Sequence, residues 1–214
     1  WTPALLQHPT LDSGMKANWW GLLGKQVRTR LGRLSDSEVF SGIPGSPTEH
    51  HAAPFAMTEE FAAVYRLHPL IPDEYRFLSL TDASFSQYKS FPDIQGNETR
   101  STIDEVGIDN VWFSFGVAHP GQLTLGNFPR FLQEIRRIKR LPNGDPEILD
   151  VAAIDIFRDR ERGVPRYNAF RRMLRMKPIK SFEELNPEWA KKLNDLYQGD
   201  LERLDLMVGL YAEK

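Results

Sequence analysis

Residues 58–73 read TEEFAAVYRLHPLIPD, and no other stretch gives so clear a local signal. Thr58 offers an N-cap oxygen, and Glu59 and Glu60 put negative charge in the first turn, where the helix dipole favours it. Phe61, Val64, Tyr65 and His68 then recur at helical spacing. Pro69 and Pro72 end or kink the helix soon afterwards. On this reading Tyr65 and His68 stand three residues apart, on one face near a helix C-terminus. A His at that position is also an ordinary partner for the last carbonyls of a helix, so the pair by itself does not separate chemistry from capping.

Upstream, WTPALLQHP carries Pro3 and Pro9, which predicts a short first helix. MKANWWGLLGKQVRTRL at 15–31 reads as helical although Gly21 and Gly24 weaken it, and Trp19 and Trp20 read as packing residues. Residues 32–57 form a Gly/Pro/Ser-rich connection with turns near Gly42 and Gly45. Such a long connection is uncommon inside a compact domain. The adjacent His50 and His51 lack a second ligand pair at metal spacing and read as solvent-facing.

Downstream, YRFLSL at 75–80 suits a short strand. Residues 108–141 read as two helices split at HPGQ. The second, from about 127, would bury Phe128, Phe131, Leu132, Ile135 and Ile138 and turn Arg130, Arg136, Arg137, Lys139 and Arg140 to solvent. LPNGDPE at 141–147 is a turn. In 148–162, Leu149, Ala152, Ala153, Ile156 and Phe157 suit a well-buried helix, and RDRER is either a surface charge ladder or a buried ionic network. After the break at Gly163 and Pro165, helices are expected over 167–176, from Asn186–Pro187 into 198, and over 200–213. Trp112 to Phe115 read as core, with the lining of an apolar channel as the other reading. His8 and His119 read as structural or surface residues. The fold class is mainly α with minor short strands.

Composition narrows the chemistry. The 214 residues are 41% hydrophobic and 26% charged, typical of a globular chain. The longest apolar stretches, such as VWFSFGVA at 111–118, fall well short of the ~20 residues a bilayer helix needs, although peripheral lipid contact stays open. Cys is absent, which removes disulfides, thiolate nucleophiles, iron–sulfur sites and a thiolate-bound haem. A net charge of -2 does not suggest a nucleic-acid partner. These features point to a cytoplasmic or peripherally membrane-associated protein rather than a disulfide-bonded secreted domain. No P-loop, GxGxxG, HExxH or GxSxG occurs. The start without Met and the end inside the ordered pattern VGLYAEK suit an internal piece of a longer polypeptide.

Four blocks in order carry a resemblance. TEEFAAVYRLHPLIPD at 58–73 resembles the proximal-histidine helix of the animal-type haem peroxidase and cyclooxygenase superfamily. It is most similar to the fatty-acid α-dioxygenases, although Pro69 looks more like the cyclooxygenases. DVAAIDIFRDRERGVPRYNAFRR at 150–172 resembles a second hallmark, with RERG at 160–163 in the α-dioxygenase form. NWWGLLGK at 18–25 and LDLMVGLYAEK at 204–214 also resemble α-dioxygenase segments.

The resemblance implies that residues 1–214 are part of a haem peroxidase-like, all-helical catalytic domain. Its distal-haem segment, with any calcium site, would lie upstream, and its carboxylate-binding Arg downstream, so the rest of the parent polypeptide is needed. It implies haem b as cofactor, His68 as proximal iron ligand, Tyr65 as the radical-bearing residue and Thr2 as a contact to the substrate carboxylate. The implied reaction takes a long-chain fatty acid and O2 to a 2-hydroperoxy acid. Hydrogen abstraction from a saturated carbon is beyond an ordinary base, whereas a tyrosyl radical beside an oxidised haem achieves it. Two further readings remain: a peroxidase of the same superfamily acting on small reductants, and a catalytically incomplete chain with a structural role.

Overall fold

The structure is a computed structural model that describes residues 8–20, 59–140, 144 and 146–213. Its elements are predominantly helical, with two small two-stranded sheets, in agreement with the mainly α expectation. The chain divides into two compact units. One comprises the residues up to Leu67, Leu123–Leu125 and everything from Ala153 on; the other comprises His68–Gln122 and Gly126–Ala152.

In the first unit, helix α1 (Pro9–Trp20) starts with Pro9 at its first position, where a missing N–H costs nothing. It therefore begins earlier than expected. Gly14 lets Phe170 and Val64 approach; an added Cβ would lie 3.3 Å from the Phe170 ring. Helix α2 (Glu59–Val64) has the two acidic residues in its first turn, while its expected cap Thr58 lies outside the described residues. Helices α7 (Tyr167–Met173) and α10 (Leu206–Ala212) cross at Gly209, where a Cβ would fall 2.3 Å from Tyr167. Only glycine allows this approach. Leu11, Val64, Tyr167, Leu174, Leu204, Leu206 and Leu210 form the core of this unit.

The remaining helices of this unit differ in detail from the sequence expectation. A short helix α8 (Phe182–Leu185) is capped by Ser181, which accepts from the Glu184 amide at 3.1 Å, and the Glu184 carboxylate accepts from the Lys180 amide at 2.7 Å. The Asn186 side chain accepts from the Glu188 amide at 3.0 Å. Asn186–Trp189 are thus a lead-in turn, and helix α9 (Ala190–Tyr197) begins three residues later than Pro187 suggested. Leu201–Arg203 form a separate 3-10 turn before α10.

The second unit holds β1 (Glu74–Leu78) and β2 (Phe85–Ser90), paired antiparallel from Glu74↔Ser90 to Leu78↔Phe85. Gly107, at φ 86°, separates α3 (Glu98–Val106) from α4 (Ile108–Val117). Ser114 of α4 accepts from the Leu78 amide at 2.8 Å and ties the helix to the sheet.

Three sequence expectations are corrected. The second helix of 108–141 shrinks to α5 (Arg130–Gln133), and the basic run becomes β3 (Ile135–Arg140), paired antiparallel with β4 (Pro146–Leu149). Asn143–Gly144 is a hairpin sequence, and Gly144 takes φ 88°, so main-chain pairing overrides the three-residue spacing of Ile135 and Ile138. Helix α6 (Val151–Glu161) is not buried along its apolar side: Phe157 is 61% exposed, whereas Asp155 and Asp159 are buried. Leu149 belongs to β4 instead. Trp112, at 70%, and Phe115, at 50%, are exposed in this chain and contribute nothing to its core. Among the described residues no helix is long and apolar enough to cross a membrane.

Candidate functional site

Tyr65 and His68 do not share a helix face. Helix α2 ends at Val64, and the last helical hydrogen bond here runs from the Tyr65 amide to the Phe61 carbonyl at 2.9 Å. The chain then tightens, with the Leu67 amide donating to the Tyr65 carbonyl at 3.0 Å. His68 opens a separate 3-10 turn, His68–Leu70. The HPLIP sequence explains the early stop. Pro69 disfavours helical backbone at His68, and Pro69 and Pro72 have no N–H to continue the ladder. The boundary between the two units falls between Leu67 and His68.

Tyr65 is exposed in this chain, at 53%, while Val64 beside it is buried. Its ring stacks on Phe61 of its own helix, with centroids 5.2 Å apart. The residue that follows is anchored instead. Arg66 Nη1 donates to Asp159 Oδ1 at 2.5 Å and to the Asp155 carbonyl at 3.1 Å, and its Nε lies 3.3 Å from Asp155 Oδ1. The Arg66 carbonyl accepts from the Tyr211 hydroxyl. The i, i+4 spacing of Asp155 and Asp159 puts both carboxylates on one helix face, and that face receives Arg66. Burial pushes the Asp159 carboxyl above the usual carboxylate range, against the pull of Arg66. Burial likewise raises the Tyr211 phenol, which keeps it a neutral donor.

His68 is half-buried, and its ring lies 5.3 Å from that of Phe128 at 59°. The two carbonyls after it are fixed. Pro69 O accepts from Asn127 Nδ2 at 3.2 Å, and Leu70 O accepts from the Gly121 amide at 2.9 Å. Asn127 also donates to Gln122 O at 2.8 Å, which binds the 121–127 loop to itself. An imidazole on such a turn can serve as an axial ligand, and a porphyrin needs only one from the proximal side. Among the described residues no group of three or more His, Asp or Glu could hold a metal ion.

A second buried polar cluster lies within the first unit. Glu213 accepts from the Thr10 amide at 2.8 Å, the Thr10 hydroxyl at 2.6 Å, the Tyr167 hydroxyl at 2.7 Å and Arg171 Nη1 at 2.5 Å. His8 is buried beside it, and burial lowers its imidazole below the ordinary value, partly opposed by Glu213 and by a bond to the Leu210 carbonyl. His8 is thus a core residue and His119 a surface one.

Of the sequence candidates, Tyr65 and His68 are described, while Thr2, His50 and His51 lie outside the described residues, as do the side chains of Trp19 and Trp20. In RDRER, Asp159 is buried against Arg66, whereas Arg162 pairs with Glu59 at the surface. The residues that sequence reading missed are Arg66, Asp155 and Tyr211 as anchors, and Gly121, Asn127 and Phe128 around His68. The four-residue spacing of the two aspartates was the available signal for the first group.

The sequence model of the family described as "Animal haem peroxidase" matches residues 1–214. Alpha-dioxygenase 1 of Arabidopsis thaliana is 41% identical across 100% of this chain, which covers 35% of that protein. This chain therefore spans about a third of the length of the curated relatives it matches. The crystal structure of fatty acid alpha-dioxygenase from Arabidopsis thaliana superposes with a TM-score of 0.65 at 39% identity, over 94% of this chain and 33% of that one. A tyrosine-to-phenylalanine variant of the Oryza sativa fatty acid alpha-dioxygenase, solved with palmitic acid, gives 0.66 at 33% identity, over 94% and 34%. Agreement that runs the whole length of this chain makes it a member of the animal haem peroxidase family, similar throughout to alpha-dioxygenases.

Proposed function

We propose that the parent polypeptide is a haem-dependent fatty-acid α-dioxygenase that inserts O2 at the α-carbon of a long-chain fatty acid to give a 2-hydroperoxy acid. The observation that carries this reading is the 41% identity to an alpha-dioxygenase over the full chain. The relative solved with palmitic acid supports a long-chain substrate. Residues 1–214 form part of that catalytic domain, and the distal-haem and Arg-bearing segments belong to the rest of the polypeptide.

The residues present fit a haem. The only nitrogen ligand type needed is an imidazole, and His68 presents one beside the aromatic ring of Phe128 on a turn pinned at its next two carbonyls. In this reading His68 is the proximal ligand. Haem, when bound, supplies the oxidising power that removes a hydrogen atom from a phenol. Tyr65 is that phenol. The Tyr65 phenoxyl takes a hydrogen atom from the α-carbon and returns to phenol. O2 adds to the carbon radical, and the resulting peroxyl recovers the hydrogen atom from Tyr65, giving the hydroperoxide and restoring the phenoxyl. Thr2 holds the substrate carboxylate, so that the α-carbon, not a carbon further along the chain, meets Tyr65.

Oxygen uptake by the intact protein with palmitic acid, in the absence of added reductant, tests the reading. Stoichiometric formation of the 2-hydroperoxy acid is expected. Peroxide-dependent oxidation of a small phenol with no fatty-acid-dependent oxygen uptake overturns it in favour of a peroxidase.

A further inference from the structure

We propose that Asp155 and Asp159 are positioning residues for Tyr65, acting through the guanidinium of Arg66. The catalytic meaning of this proposal rests on the reading of Tyr65 given above; its structural meaning rests on geometry alone.

A side chain takes its direction from its backbone and from what packs around it. At Tyr65 the ring stacks on Phe61, a neighbour on the same helix, so its direction is tied to the backbone of residues 65–67, just where the helix has ended. That backbone is held at several points. The Tyr65 amide donates to Phe61 O at 2.9 Å, and the Tyr65 carbonyl accepts from the Leu67 amide at 3.0 Å. Arg66 is then gripped at both ends, its carbonyl by the Tyr211 hydroxyl and its guanidinium by the two aspartates.

Helix α6 buries Asp155 and Asp159 within the first unit. Buried ion pairs are a weak source of net stability, because desolvation offsets most of the attraction. They do define geometry, since two carboxylates one helical turn apart accept a planar guanidinium in a restricted set of orientations. Arg66 carries that restriction to the residue next to Tyr65.

The test uses the haem-loaded, full-length protein with 3-fluorotyrosine at position 65, observed by fluorine NMR. Its partners are steady-state kinetics with a fatty acid, the haem absorbance band and the thermal midpoint. In Asp159→Asn and in Asp155→Asn, the position-65 resonance should shift or broaden. The value of kcat should fall about tenfold, as expected when a reacting group is displaced by a fraction of an ångström, with KM for the fatty acid little changed. The haem band should remain. Arg66→Lys keeps the charge but not the planar fork, and should move the resonance in the same direction. If Asp159→Asn does not fold, Asp155→Asn and Arg66→Lys, which leave the short Asp159 carboxylate in place, decide the matter. An unmoved resonance in the folded variants overturns the proposal, whether or not kcat or the thermal midpoint falls, because a merely structural ion pair behaves that way. Full activity in Tyr65→Phe would discard the catalytic reading of Tyr65, while the resonance would still report whether the aspartates aim its ring.

Discussion

A β-carbon on residue 121 would lie 2.2 Å from the carbonyl oxygen of Pro69; Gly121 is the residue against which the turn beginning at His68 is seated. The same residue donates its amide to Leu70 O at 2.9 Å. The approach and the hydrogen bond are coupled, since any side chain at 121 would push the loop off the turn and lengthen the bond.

Gly121→Ala is therefore expected to displace the Pro69 carbonyl rather than be absorbed, because the obstructing atom is backbone. Overpacking of this kind costs about 1–3 kcal/mol. In the intact protein it should lower the thermal midpoint and, if His68 is the iron ligand, weaken haem retention. Haem titration followed by absorbance measures the second effect. Asn127→Ala removes the amide that bonds both Pro69 O and Gln122 O and should act in the same direction, by about 0.5–1.5 kcal/mol for each hydrogen bond.

The Glu213 cluster gives a sharper stability prediction. Its carboxylate collects Thr10, Tyr167 and Arg171 in a buried setting, and the Arg171 side chain is only 16% exposed. Glu213→Ala leaves a buried guanidinium without its counter-charge, which costs about 3–5 kcal/mol. Thr10→Val removes the hydroxyl that donates to Glu213 and accepts from Arg171, and should cost less, about 1.5–3 kcal/mol, because the ion pair remains. Urea denaturation of the intact protein compares the two. Equal losses would mean that the cluster does not act around a central charge.

His8 should make stability depend on pH in a definite direction. Burial lowers its imidazole below the ordinary value, so between that lowered value and about 6.5 the unfolded chain binds the proton more readily than the folded one. Stability contributed by His8 is thus full above about pH 6.5, falls as pH drops toward the folded-state value, and levels off below it. His8→Gln should flatten this part of the curve of urea midpoint against pH. A wild-type and variant pair with parallel curves between pH 7 and 5 would contradict the assignment.

How much of this was legible beforehand depends on whether the deciding contact was local. The acidic first turn of α2, the strand at Glu74–Leu78 and the helix from Tyr167 follow from spacing and breakers within a few residues. The segment 135–140 was misread because Ile135 and Ile138 suit a helix as well as a strand, and the choice was made by pairing with residues 146–149. Helix α6 was misread for a related reason. Its pattern of Ala, Ile and Phe invites burial of the apolar side, but Arg66, 93 residues from Asp159, requires the opposite face. The Tyr65–His68 pair was found through its sequence context; what was missed is that the two prolines end the helix before His68, so that the pair spans two elements.

The division of labour between Tyr65 and His68 is the most direct test of the site, in the intact protein. Tyr65→Phe removes one hydroxyl from a residue that is half exposed, and the Phe61 stack is retained. As a packing residue Tyr65 would tolerate the change, with a loss of at most about 1 kcal/mol. As the radical-bearing residue it would not, because phenylalanine has no O–H hydrogen to give up or recover. The expected result is an unchanged haem band, an unchanged thermal midpoint and loss of fatty-acid-dependent oxygen uptake. His68→Ala should instead alter or abolish the haem band and lose activity through the metal. A His that only meets helix-end carbonyls would leave the band intact and cost about 0.3–1 kcal/mol. Measuring absorbance and oxygen uptake on the same samples separates these cases: near-normal uptake in Tyr65→Phe with haem retained removes the radical assignment, and an intact band in His68→Ala removes the ligand.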